Sequence, residues 1–113
     1  MNNRITRSEL LNLIDLEPNL VLVEALPPHY FEKEHLPGAI NLPLQEVTAK
    51  AAKLIPEKHA TVVVYCSNSS CNNSSIGGNL LRQLGYTRVY EYSGGKQDWR
   101  DAGLLFEGAN EHA

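Results

Sequence analysis

Apolar and polar positions along the chain follow two periods, one suited to helices and one to strands. Thr6-Arg7-Ser8-Glu9 has the form of a helix capping box, and Leu10, Leu13 and Ile14 follow at helical spacing. Pro18 and Asn19 end that helix. Leu20-Val21-Leu22-Val23 is a short continuous apolar run of the buried-strand type. Pro27-Pro28 turns the chain, and a short helix with Tyr30 and Phe31 is predicted after it. Ala39-Ile40-Asn41-Leu42 predicts another short strand behind Pro37-Gly38. Leu44, Val47, Ala51 and Leu54 mark one face of a helix that ends before Pro56.

The strongest strand signal is Thr61-Val62-Val63-Val64-Tyr65, rich in β-branched residues and predicted to be central and buried on both faces. A polar loop follows, Cys66-Ser67-Asn68-Ser69-Ser70-Cys71. Ile76, Leu80, Leu81 and Leu84 then define an amphipathic helix with Gly85 as its C-terminal stop. Gly77 and Gly78 lie inside it, where each costs about 1 kcal/mol relative to Ala, so close packing against the sheet is expected there. Arg88-Val89-Tyr90-Glu91-Tyr92 is the last strand. Ser93-Gly94-Gly95 turns the chain into a short helix holding Trp99 and stopped at Gly103. Strands and helices alternate, which predicts a single α/β domain over residues 1–113 around a mostly parallel sheet.

Composition adds exclusions. The chain has 113 residues, enough for one core without a disulfide framework or structural metal. Ten Lys+Arg against thirteen Asp+Glu give a net charge of −3, which argues against nucleic acid as a partner. No apolar run approaches the roughly 18 residues of a membrane span. Asn12 and Asp15 interrupt the apolar stretch near the start, so no secretory signal is read there and a cytoplasmic protein is expected. In a reducing compartment its only two cysteines, Cys66 and Cys71, are expected to be reactive more than structural.

Cys66 follows a buried strand at the mouth of a loop that feeds a helix. Sites in open α/β sheets form at the carboxyl ends of strands. The helix beginning near Asn72 aims its free N–H groups and positive dipole end back at the loop. Such surroundings lower a thiol pKa from about 8.5 to roughly 3.5–7.5, which makes Cys66 a candidate nucleophile. Ser67, Asn68, Ser69 and Ser70 are short and polar, so the loop can curl and converge its N–H groups into an anion-binding nest. The competing reading of Cys66 is a small buried hydrophobe.

Four segments, in order and in register, resemble the rhodanese homology domain over nearly the whole chain. They are Glu34-His35-Leu36-Pro37-Gly38-Ala39-Ile40-Asn41-Leu42-Pro43, Val62-Val63-Val64-Tyr65-Cys66, Leu84-Gly85-Tyr86-Thr87-Arg88-Val89-Tyr90, and Gly94 through Gly103 with Trp99 at its centre. The resemblance implies a five-stranded parallel sheet flanked by helices on both faces, and sulfur-transfer chemistry without a cofactor. Cys66 would take a sulfane sulfur from a small donor, or from a persulfide on a protein or thiol, and pass it to a thiophilic acceptor. Loop residues Ser67, Asn68, Ser69, Ser70, Cys71 and Asn72 would bind the substrate.

The chain departs from the family pattern in places. Glu24-Ala25-Leu26 stands where D-V-R is common, so a carboxylate stays and a basic residue is gone. Phe31 replaces the usual Tyr, and Glu34 the usual Gly. Positions 67 to 75 carry no positive charge, which predicts poor thiosulfate turnover. The long loop resembles a subgroup with C-x-x-x-x-C, in which Cys71 would be a resolving cysteine; its other reading is a helix-start residue pointing inward. Glu24 could support the site or anchor a turn. His35 is expected to be a hydrogen-bonded structural residue, with a supporting role as the alternative. Trp99, Tyr86, Tyr90 and Tyr92 are expected to be packing residues.

Other chemistries fit less well. A cysteine phosphatase needs Arg six residues after its nucleophile, and Asn72 stands there. Zinc lacks ligands, because His29, His35, His59 and His112 show no ligand spacing. A thiol–disulfide switch using Cys66 and Cys71, or a non-enzymatic sulfur carrier or sensor, stays open.

Overall fold

A five-stranded parallel sheet organises residues 3–108, the part of the chain that the computed structural model describes. In chain order the elements are β1 (Arg4–Ile5), α1 (Arg7–Leu16), β2 (Val21–Glu24), α2 (Pro28–Lys33), β3 (Ile40–Asn41), α3 (Val47–Leu54), β4 (Thr61–Tyr65), α4 (Asn73–Gln83), β5 (Arg88–Tyr92) and α5 (Gly95–Asp101). The strand order is β1-β5-β4-β2-β3, and each neighbouring pair runs parallel. β4 is therefore central, and all five of its residues are buried, as its β-branched run predicts.

Pair register fixes the carboxyl edge. Glu24 is opposite Tyr65, and Tyr65 is opposite Tyr92, so β2, β4 and β5 end in line. β1 was not legible in the sequence, because two residues are too few to show a period.

Alternation along the strands sorts the core into two layers. Val23, Val62, Val64 and Val89 pack with Val47, Ala51, Ile55 and Leu81 from the α3 and α4 side. Leu22, Val63, Tyr65 and Tyr92 pack with Leu10 and Trp99 from the α1 and α5 side.

Local signals at the helix ends hold. Thr6 and Glu9 form the predicted capping box, with bonds of 2.8 and 3.1 Å. Gly85 follows the end of α4 at φ +102°, a conformation costly for other residues.

Several predicted faces are corrected. Ile76 is 46% exposed, and the buried stripe of α4 is Ser74, Gly77, Gly78 and Leu81. Small residues let that stripe lie against the sheet, so the buried face is turned away from the one that the large apolar positions mark. Leu54 and Ile14 are also exposed, and Ile55 is buried in place of Leu54. The segment from Leu44 begins as a 3-10 turn over Leu44–Glu46 before α3. At Gly77 and Gly78 an added methyl would meet its neighbours at 3.5 Å or more, which is ordinary contact. The packing there is close, but it does not demand glycine.

Candidate active site

The chain leaves the central strand as Cys66, at the aligned carboxyl edge. Val62 and Val64 face the α4 layer, and Cys66 continues that alternation. Its sulfur lies 3.7 Å from the Ser74 hydroxyl oxygen and 3.5 Å from the Cys71 carbonyl oxygen. Cys66 and Cys71 are joined in a disulfide across a Cα–Cα distance of 6.4 Å. Cys66 is 1% exposed, whereas Cys71 is only partly buried. A disulfide sulfur is no nucleophile, so reduction must precede any chemistry that uses a Cys66 thiolate.

Asn68 organises the loop. Its side-chain oxygen accepts from the Ser70 N–H at 2.9 Å, and its carbonyl accepts from the Cys71 N–H at 3.1 Å. Two of the loop N–H groups are therefore used within the loop in this disulfide form. Asn68, Ser69, Ser70 and Asn72 are exposed, and Ser67 is partly buried. Asn72 occupies the N-cap position of α4 without a side-chain capping bond. The neighbouring Asn73 side chain donates to the Ala25 carbonyl at 2.8 Å and ties the start of α4 to the end of β2.

The loop is also fastened from the α5 side. The Lys96 N–H donates to the Cys66 carbonyl at 3.0 Å, and the Gln97 N–H donates to the Ser67 carbonyl at 2.8 Å. Gly95 has φ +62°, and a Cβ there would lie 2.4 Å from the Cys66 carbonyl oxygen. Only glycine permits that approach. Beside the loop is a cleft of about 240 Å³ lined by Asn68, Ser69, Gly94, Gln97, Asp98 and Asp101. Asp98 is held by Arg7 at 3.0 Å and by the Tyr92 hydroxyl, and Asp101 accepts from Gln97.

Glu24 is fully buried beneath this edge. Its carboxylate accepts from the Tyr65 hydroxyl at 2.8 Å and from the Lys96 ammonium at 2.9 Å. Lys96 also donates to the Tyr30 carbonyl at 3.0 Å, and Tyr65 accepts from the Leu36 N–H at 3.1 Å. Burial raises the Glu24 carboxyl above its usual value, while Lys96, Tyr65 and the more distant His35 oppose the rise. Burial together with the Glu24 carboxylate raises the Tyr65 phenol. Lys96 was missed in the sequence. The signal available was a carboxylate ending a buried strand, which needs a buried partner.

His35 stacks on and hydrogen-bonds to its own segment. Its ring lies flat on Phe31 at 3.8 Å, and Nδ1 is 2.8 Å from the Phe31 carbonyl. Its backbone pairs with Glu107. Trp99, Tyr86 and Tyr92 are buried, and Trp99 donates to the Leu105 carbonyl at 2.9 Å. Among the described residues there is no cluster of three or more His, Cys, Asp or Glu able to hold a metal, and His112 lies outside them. No helix of the described residues is long and apolar enough to cross a membrane.

Comparison with known proteins gives concordant findings. The family model described as Rhodanese-like domain matches residues 6–102. Thiosulfate sulfurtransferase PspE of Escherichia coli (strain K12) is 38% identical over 67% of this chain and 70% of its own length. The HTH-type transcriptional regulator Rv0324 of Mycobacterium tuberculosis is 33% identical over 93% of this chain, which spans only 45% of that protein. Among solved structures, the BH2092 protein of Bacillus halodurans superimposes with a TM-score of 0.86, covering 96% of this chain and 78% of that one. At 24% identity that likeness speaks for the fold alone.

Proposed function

The chain belongs to the rhodanese-like domain family, and on that premise we propose that it is a sulfurtransferase whose Cys66 carries the sulfur. The observation that supports this most is the place of Cys66. It follows the buried central strand, begins a loop that feeds α4, and has its sulfur beside Ser74 and Cys71.

In the reduced protein the Cys66 thiolate attacks the outer sulfur of the donor. A new S–S bond forms on Cys66 as the donor's own S–S bond breaks. The leaving group is sulfite from thiosulfate, or a thiolate from a persulfide. An acceptor nucleophile then attacks the outer sulfur and returns Cys66 to the thiolate. Free N–H groups of the loop from Ser67 to Asn72, with the start of α4, stabilise the negative charge as it moves.

Cys71 supplies a second exit. Its thiolate attacks the inner sulfur of the Cys66 persulfide, forms the Cys66–Cys71 disulfide and expels hydrosulfide. That step would leave the same Cys66–Cys71 bond that the structure contains, which supports the reading, and a thiol reductant returns the pair to the start. The same bond supports a thiol–disulfide switch as the second reading. A reducing cytoplasmic setting suits both.

Thiosulfate is a poor match to the mouth of the site. Positions 67 to 75 hold no cation, and Asp98 and Asp101 line the adjacent cleft. A polysulfide or a persulfide on a thiol or protein is therefore the preferred donor. The test is steady-state sulfur transfer to cyanide by the reduced protein, with thiosulfate and with polysulfide. Higher kcat/KM for polysulfide, lost in Cys66→Ser, is expected. Transfer that survives Cys66→Ser would overturn the assignment.

A further inference from the structure

We propose that the buried Glu24–Lys96 ion pair is a positioning element for Cys66: it seats α5 so that α5 turns the Ser67 and Asn68 N–H groups toward the sulfur. The geometry stands by itself, and its consequence for sulfur transfer rests on the reading of Cys66 above.

The Cys66 and Ser67 carbonyls both point at α5, where they accept from the Lys96 and Gln97 N–H groups at 3.0 and 2.8 Å. The described chain contains no cis peptide, and a trans peptide directs its N–H opposite to its carbonyl. The next N–H groups, those of Ser67 and Asn68, therefore point away from α5. That is the α4 side, where the Cys66 sulfur lies beside Ser74. Donors aimed at a thiolate or persulfide lower its energy, so their aim sets the reactivity of the site.

The aim is as good as the seat of α5. This helix has only seven residues. Its backbone abuts Cys66 so tightly that a Cβ on Gly95 would collide with the Cys66 carbonyl. The Lys96 side chain, 9% exposed, reaches under the sheet edge to Glu24 on β2 and to the Tyr30 carbonyl on α2. Two directional bonds thus fix α5 to two other elements. An apolar pair of similar volume would hold the fold as firmly, but would not fix direction.

The test uses a Cys71→Ser background, so that Cys66 stays reduced. Within it the double variant Glu24→Gln/Lys96→Met is compared with its parent. Removing both charges leaves the net charge unchanged and leaves neither ion unpaired. Two readouts are taken, the pH midpoint of Cys66 alkylation by iodoacetamide and single-turnover sulfur uptake from polysulfide. The double variant is expected to melt near its parent, while its alkylation midpoint moves toward the ordinary thiol value of about 8.5. Its uptake is expected to slow roughly tenfold, a modest share of what losing an oxyanion donor costs. A merely structural pair would change melting and leave the midpoint alone, and an unchanged midpoint with unchanged uptake overturns the proposal. A parent that takes up no sulfur would instead refute the role of Cys66, with the alkylation midpoint still deciding the positioning claim.

Discussion

The two faces of the sheet are built by different physics. On the α3 and α4 side the core is mostly hydrocarbon, with Val23, Val62, Val64, Val89, Leu42 and Leu81 filling space and the Tyr86 hydroxyl, bonded to the Ile55 carbonyl, as the exception. On the α1 and α5 side Leu10, Leu22 and Leu36 are joined by three buried aromatic residues that carry polar atoms. Tyr65, Tyr92 and Trp99 each reach a partner there, and Glu24 and Lys96 are buried among them. The first face is held by volume, which tolerates exchange. The second is held by direction, and its bonds run to the segment that carries Cys66. The Cys66 sulfur lies toward the first layer, beside Ser74, while its carbonyl and that of Ser67 are bonded to α5 on the second.

The largest loss of stability is expected on removing one partner of the buried pair. Lys96→Met alone leaves the Glu24 carboxylate unpaired and is expected to cost about 3–5 kcal/mol in urea denaturation. The double variant with Glu24→Gln should recover most of that loss. On the hydrocarbon face, Leu81→Ala opens a cavity, and about 3 kcal/mol is expected by the same assay. There a second change restores stability only by refilling the lost volume, whereas the Glu24 change restores it by removing the stranded charge. Tyr65→Phe removes one hydroxyl and strands both a Glu24 oxygen and the Leu36 N–H, for a loss of about 1–3 kcal/mol.

Gly78→Ala sharpens the contrast in the other direction. A methyl there meets Arg82 and Val89 at 3.7 Å, so helix propensity should raise stability by about 0.5–1 kcal/mol. The smallest expected signal is a slope with pH. The folded Glu24 carboxyl is raised above 4.5, so just above that value the folded chain keeps a proton that the unfolded chain has released. The contribution of Glu24 is therefore complete below the unfolded value and declines as pH rises through the folded one. Urea midpoints over a pH series should fall, relative to those of Glu24→Gln, as the pH rises across that window.

Legibility in the sequence followed the same division. Strands Val21–Glu24, Thr61–Tyr65 and Arg88–Tyr92 lie within a residue of their predicted bounds, because apolar runs and turn residues are local signals. The five-stranded parallel sheet was implied by the family resemblance, and β1 supplies the strand that no local period revealed. Ile76 misled because the burial of α4 is decided by small residues at Ser74, Gly77 and Gly78, to which a hydrophobic pattern is blind. At the site, the juxtaposition of Cys66 with Cys71 follows from a short loop. The partners of Glu24 do not, since Tyr65 and Lys96 lie 41 and 72 residues away along the chain. A buried carboxylate announces that it needs a donor, but only the fold says which one.

Intact mass under non-reducing conditions, before and after the reduced protein meets polysulfide, decides whether Cys66 carries the sulfur. Wild type, Cys66→Ser and Cys71→Ser are compared. One added sulfur is expected on Cys71→Ser, none on Cys66→Ser, and in wild type either the added sulfur or the loss of two hydrogens as the disulfide closes. Sulfur retained by Cys66→Ser, or absent from Cys71→Ser, would contradict Cys66 as the carrier.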